Sequence, residues 1–265
     1  YLKANWPAEF WAANLTNEMN NPDKFSEYLQ TVKGMSIEIL PPSINYSDKH
    51  FAVVGEKIVY GLAGIKNVGE GAVAAIVAER DANGPYTDLI DFLTRLDTKI
   101  LNSKLLESLI KAGAFDPLGV NRPTLLENLN DAVTHVAKVR EASAFGQISL
   151  FDEETEAAMN VFEMRDVEDW QLSEKLETEK ALLGFYISGH PLDEYAQALD
   201  GLTYNTAYVT ELAEREDHGL SEDGRQVQMG GMIVALRAKA TRKGSMMGFA
   251  QLEDLTGQIE CLLFP

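Results

Sequence analysis

Two glycines one residue apart, Gly69 and Gly71, open an Ala/Val/Ile-rich stretch that runs from Ala72 to Ile76. Ahead of them Leu62, Ile65 and Val68 recur at intervals of three, with Lys66 between the last two. Glycine lets a chain turn tightly and lets another backbone come close, because no Cβ intervenes. A helix that starts here presents unpaired N–H groups and the positive end of its dipole, which suits an anion such as phosphate. Lys66, Val68, Gly69, Glu70, Gly71 and Ala72 are therefore the first candidate binding residues. A plain tight turn between two core helices would use the same residues without a ligand. Leu101 to Phe115 offers a second, weaker unit, with Lys99, Lys104 and Lys111 beside Leu105, Leu106, Leu109 and Ile110. Either its lysines, Lys104 among them, contact phosphate, or the segment is an amphipathic helix with solvated lysines.

Two further groups suit partners rather than catalysis. In Gln147-Ile148-Ser149-Leu150-Phe151, the last two side chains are apolar anchors for a partner's pocket, and Gln147 can hydrogen-bond at its edge. The alternative is an apolar pair packed back on its own helix. Arg237, Lys239, Arg242 and Lys243 form the densest basic cluster, near Phe249. Cations beside an aromatic ring attract the phosphates of a single strand and stack its bases. Lysines that shield a sheet edge would look the same. No catalytic residues and no metal ligands are assigned. His50, His135, His190 and His218 are scattered without metal-ligand spacing, and Cys261 lies in an apolar strand.

The elements that must hold these groups change character along the chain. The first fifty residues read as helical, with a break at Asn21-Pro22-Asp23. Ile37–Leu40 is a short strand candidate, and 50–54 with 57–62 flank Gly55-Glu56 as a hairpin with a II′ turn. Short helices are expected over 62–115, and a longer amphipathic one from Thr124 to about Phe145. Residues 152–179 hold eleven Asp or Glu against two Lys or Arg and read as a solvated linker. A helix over 174–183 stops at Gly184, and three strands follow at 227–236, 249–252 and 258–264.

The expected fold is thus multi-domain α+β: mainly α with a small β hairpin, followed by a C-terminal partial β-barrel. Its 265 residues, 45% hydrophobic and 24% charged, can build real cores, and disulfide-scaffold and disordered classes are excluded. Acids outnumber bases 41 to 23, for a net charge of −18, which argues against a wholly basic nucleic-acid coat but not against local contacts. One cysteine fits a reducing, cytoplasmic compartment, and no apolar run nears the roughly 18 residues of a membrane span. A start on Tyr1 and an end on the apolar run 261–265 suggest a piece of a longer chain.

The pattern around Gly69 resembles the helix-hairpin-helix DNA-binding motif, and Gln147–Phe151 resembles the pentapeptide by which bacterial replication proteins bind the sliding clamp. Residues 1–5, 34–42, 60–71, 105–116, 183–192 and 249–265 together resemble the C-family bacterial replicative DNA polymerases, in order and over nearly the whole chain. That resemblance implies the end of the fingers at 1–55, a helix-hairpin-helix domain at 56–145 and the clamp motif with an acidic linker at 146–173. A helical connector at 174–218 and the first strands of an OB fold at 219–265 complete it. It implies duplex DNA held by the hairpin, possibly a single strand on the OB fold, a sliding clamp and other replicase subunits as partners. The parent protein is then a DNA-directed DNA polymerase using magnesium, with its catalytic aspartates upstream of Tyr1. This piece alone would hold no cofactor and would not polymerise. Two alternatives from other classes are a helix-hairpin-helix DNA glycosylase, with Asp88 or Asp91 catalytic, and a non-enzymatic clamp-tethered adaptor.

Overall fold

In the computed structural model, all residues are described except Asn20, Thr98, 145–161, 215–223 and 241–244. The chain forms two compact units, Tyr1–Val32 with Ile37–Ser188, and Lys33–Ser36 with Gly189–Pro265.

The first unit begins with helices α1 (Leu2–Asn5), α2 (Pro7–Glu18) and α3 (Pro22–Gly34). A three-stranded sheet follows in the order β1 (Ile39–Leu40), β3 (Lys57–Val59), β2 (Ala52–Val54), with β1 parallel and β2 antiparallel to β3. Val54 pairs with Lys57 across Gly55-Glu56, and only Gly55 of the two turn residues has positive φ, +65°, the sign pattern of a II′ turn. The strands are shorter than expected, because Tyr60 to Gly64 leave the ladder for a 3₁₀ turn, Leu62–Gly64. Helices α4 (Glu70–Asn83), α5 (Leu89–Arg95), α6 (Ser103–Lys111) and α7 (Arg122–Ala144) then wrap one core containing Leu15, Phe51, Ile65, Phe92, Phe115 and Leu129. Helix α7 starts two residues before the expected Thr124 because Asn121 caps it, its side-chain oxygen accepting the Thr124 amide at 2.8 Å.

The stretch 152–179 does not behave as a solvated linker over its described part. Residues 162–167 are bound to α7. The Asn128 side chain both donates to the Arg165 carbonyl and accepts its amide, each at 2.9 Å, and Thr124 Oγ1 accepts the Val167 amide at 2.9 Å. Phe162 and Met164 pack on the core. Charge density alone hid this, since the acids face outward while backbone and apolar groups face α7. Helix α8 (Leu172–Leu183) follows and ends on Gly184, at φ +86°.

Arginines close this unit's helix ends. Arg95 donates to the carbonyls of Glu79 and Gly84 at the end of α4, at 3.1 and 2.8 Å, while its guanidinium lies over the Tyr86 ring. Arg140 Nη2 lies 2.7–2.9 Å from three carbonyls around the end of α5, those of Leu93, Thr94 and Leu96. Arg122 donates to the Lys111 carbonyl ending α6, and pairs with Asp116 at 2.7 Å and Glu179 at 3.1 Å. Burial alone would lower the Arg122 pKa; the hydrogen bond and charge of Asp116, with Glu179, hold it above its ordinary value. Glu179, only 1% exposed, also accepts the amides of Ile187 and Ser188.

In the second unit, short helices α9 (Ala196–Asp200) and α10 (Thr206–Glu214) precede an antiparallel sheet of β4 (Met232–Ala240), β5 (Met246–Glu253) and β6 (Gln258–Leu263), with a register shift between Ile233 and Ala235. The expected partial barrel is, over the described residues, an open three-stranded sheet, and the fold is α+β. Asp254 caps α10, accepting the Thr206 amide at 2.7 Å and the Thr206 hydroxyl at 2.6 Å. Burial would raise its pKa, but these bonds and those from Thr256 hold it below the usual carboxylate range.

The Arg122–Glu179 pair makes a testable demand. Arg122→Ala leaves Glu179 buried without its cation, and should lower unfolding free energy by about 3–5 kcal/mol in chemical denaturation. A loss under about 1 kcal/mol, the scale of surface pairs, would contradict this account.

Candidate nucleic-acid interface

The hairpin between Leu62 and Gly71 is rooted by its apolar residues. Leu62, Ile65 and Val68 are buried, and the Ile65 and Val68 amides donate back to the carbonyls three residues earlier. Its far wall is the end of α8. The Lys66 amide donates to the Leu182 carbonyl at 3.0 Å, and the Tyr60 hydroxyl lies 2.9 Å from the Leu183 carbonyl and 3.1 Å from that of Gly64. Phe185 stacks on the Tyr60 ring at 6.0 Å and Phe51 meets it edge-on at 4.7 Å. Gly61 serves the same root: a Cβ there would fall on the His50 backbone carbonyl carbon, well inside van der Waals contact.

At the tip, Asn67 has φ +70°, and Gly69 caps α4 in extended conformation. The Ala72 and Val73 amides both donate to the Gly69 carbonyl at 3.1 Å, whereas those of Gly69, Glu70 and Gly71 meet no acceptor among the described residues. Neither glycine is required by the fold. A Cβ at Gly69 or Gly71 would meet nothing within 4 Å, and neither has positive φ. Lys66 is exposed beside this rim of free amides.

The structure sorts the sequence candidates. Val68 is a root residue, 7% exposed, and half-buried Ala72 packs on the core, so each can offer only backbone. The Glu70 side chain is turned to Lys49, at 2.5 Å. The hydrogen bond and charge of Lys49 hold its carboxyl below the usual range, with a smaller contribution from His50. The carboxylate beside the amides is therefore paired with an ammonium. Lys104 is exposed in the first turn of α6, whose N-terminus Asn102 caps by accepting the Leu105 amide at 2.9 Å. The hairpin meets α6 where Asn67 Nδ2 donates to Ser108 Oγ at 3.2 Å. Sequence reasoning missed Asn67, Ser108 and Tyr60. Of these only Asn67 left a signal, since asparagine is the side chain best suited to left-handed backbone after glycine.

On the sheet, Arg237 stands opposite Phe249 and Lys239 opposite Met247, so all four share one face, and both cations are exposed. Arg242 and Lys243 lie outside the described residues, as do Gln147, Ile148, Ser149, Leu150 and Phe151. Asp88 and Asp91 are used in folding. Asp88 caps α5 by accepting the Asp91 amide at 2.8 Å, and Asp91 pairs with Arg95 at 3.2 Å. The Leu192 amide donates to His190 Nδ1 at 3.1 Å, and His190 Nε2 faces Glu253 at 3.3 Å. Among the described residues no group of three or more His, Cys, Asp or Glu is placed to hold a metal ion, and no helix is long and apolar enough to cross a membrane.

An apolar root, a turn in left-handed backbone and a rim of free amides opening a helix define a helix-hairpin-helix region, and the helix-hairpin-helix motif family matches residues 36–125. Along its whole length the chain is 42% identical to DNA polymerase III subunit alpha of Borreliella burgdorferi. It is 40% identical to that of Mycobacterium tuberculosis strain H37Rv and 36% identical to that of Escherichia coli strain K12. The chain belongs to the DNA polymerase III alpha family, and spans 22–23% of the length of these relatives.

Burial raises the Tyr60 phenol well above its ordinary value and pushes Tyr86 up to about 12. Unfolded phenols lose protons near pH 10. Stability from these two groups is thus complete below about pH 10, and falls as pH rises because the unfolded chain binds fewer protons. Of nine tyrosines, absorbance titration should find Tyr60 still protonated at pH 11 until the chain unfolds. Tyr60→Phe should shrink that unfolding-linked step to the share of Tyr86, and a full set of phenolates in folded protein at pH 11 would contradict it.

Proposed function

We propose that this region serves a DNA-directed DNA polymerase by gripping the backbone of duplex DNA with its hairpin. The observation that carries this reading is the pair Gly69 and Gly71. The fold needs neither glycine, since a Cβ at either enters open space, and the amides of residues 69–71 meet no acceptor among the described residues, close in sequence to exposed Lys66. Phosphate is the ligand that such amides and a nearby ammonium suit, and contacts to it position a duplex without reading its sequence. Lys104 adds a second cation from α6. The whole protein performs template-directed nucleotidyl transfer, with magnesium held by residues outside this chain, and works with other replicase subunits in the cytoplasm.

The shared face of Arg237, Lys239, Phe249 and Met247 supports a single-strand site in which cations draw phosphates and Phe249 stacks a base; Arg242 and Lys243 extend the charge by sequence. Gln147 to Phe151 tether the chain to a sliding clamp, a reading supported by residue type and spacing. A glycosylase is disfavoured by the structural duties of Asp88 and Asp91.

Gly71→Val tests the grip. The fold should persist, since its Cβ enters open space, while duplex affinity falls about tenfold for all sequences alike, the scale of a lost charge-assisted hydrogen bond. Unchanged affinity would overturn the reading. For the tether, Leu150→Ala with Phe151→Ala removes two large anchors, so affinity for a purified sliding clamp should drop at least about tenfold while duplex binding holds. Equal clamp affinities would refute it.

A further inference from the structure

Asn67 carries a conformation that its turn would take more cheaply with glycine. At φ +70° a non-glycine residue is strained, so the turn alone gives no reason for a side chain here. What asparagine adds is a donor that reaches α6, where Nδ2 meets Ser108 Oγ at 3.2 Å. Ser108 is 4% exposed in the middle of that helix, one turn beyond exposed Lys104. The bond therefore ties the tip that displays the free amides to the helix that displays the lysine.

We propose that Asn67 and Ser108 form a cross-brace that sets the spacing between two phosphate sites, the amides of residues 69–71 and the Lys104 ammonium, so that one duplex backbone engages both together. When two sites are held at a fixed spacing, the second contact is intramolecular and gains from a high effective concentration. Asn67 and Ser108 are positioning residues in this scheme. The inference rests on the duplex-binding reading above and adds to it the partners that align the grip.

The test uses the full chain and a short DNA duplex, with affinity measured over a series of salt concentrations for Asn67→Gly, Ser108→Ala and the double variant. Asn67→Gly removes the donor while relieving the strained φ, and Ser108→Ala removes the acceptor. Each single variant should weaken binding about threefold to tenfold, the range of one neutral hydrogen bond, and the double no further. The slope of log affinity against log salt should lose about 0.9, the value of one phosphate contact. Lys104→Ala, costly in the wild-type chain, should then cost little in either variant. Wild-type affinity in both singles overturns the brace. So does weaker binding with an unaltered salt slope and full cost of Lys104→Ala, which is what a merely structural bond would give. Gly71→Val run in parallel separates the two levels. If it weakens binding and Asn67→Gly does not, only the brace fails; if it too binds as wild type, the duplex reading fails and the brace with it.

Discussion

The last turn of α8 holds the hairpin in shape by accepting its hydrogen bonds. A helix end leaves carbonyls without intrahelical partners, and each needs a donor when buried. Here the Leu182 carbonyl takes the Lys66 amide and the Leu183 carbonyl takes the Tyr60 hydroxyl. A need of one element thus fixes the position of another that is more than a hundred residues away in sequence. Loss of the seam would leave polar groups on both sides unpaired, so hairpin and helix end stand together. The buried Glu179 carboxylate extends the same logic, joining Arg122 to the turn that follows Gly184.

The proposed phosphate grip would sit on a chain of net charge −18. In that proposal the attraction is local. It comes from backbone amides, a helix end and a few lysines, and over distances beyond about 10 Å ordinary salt screens the surrounding carboxylates. The one acid in the rim, Glu70, has Lys49 as its counter-charge. Net charge therefore says little about what a rim a few residues wide can hold.

The sequence made the hairpin readable because glycines, apolar spacing and a following helix all pointed the same way. Gly184 as a helix stop and Gly55 in a two-residue turn were legible for the same reason, since positive φ narrows the choice of residue. The binding of 162–167 to α7 was not. It depends on Asn128 and Thr124 side chains that pair with backbone about forty residues away, and composition carries no trace of such pairing. Tyr60 looked like one more aromatic in a strand, and only the fold brings its hydroxyl to α8. The three C-terminal strands, by contrast, were legible from their alternation and Gly-containing turns.

The use of arginine has a chemical consequence. Arg95, Arg122 and Arg140 are committed to carbonyls at helix ends, whereas Lys66 and Lys104 are exposed primary amines whose side chains hold no helix end among the described residues. Acylation neutralises an amine under mild conditions and leaves a guanidinium unaltered. The charge of the rim can therefore be erased covalently while every helix end stays closed. Binding strength and fold stability rest on different functional groups, and each can vary without the other.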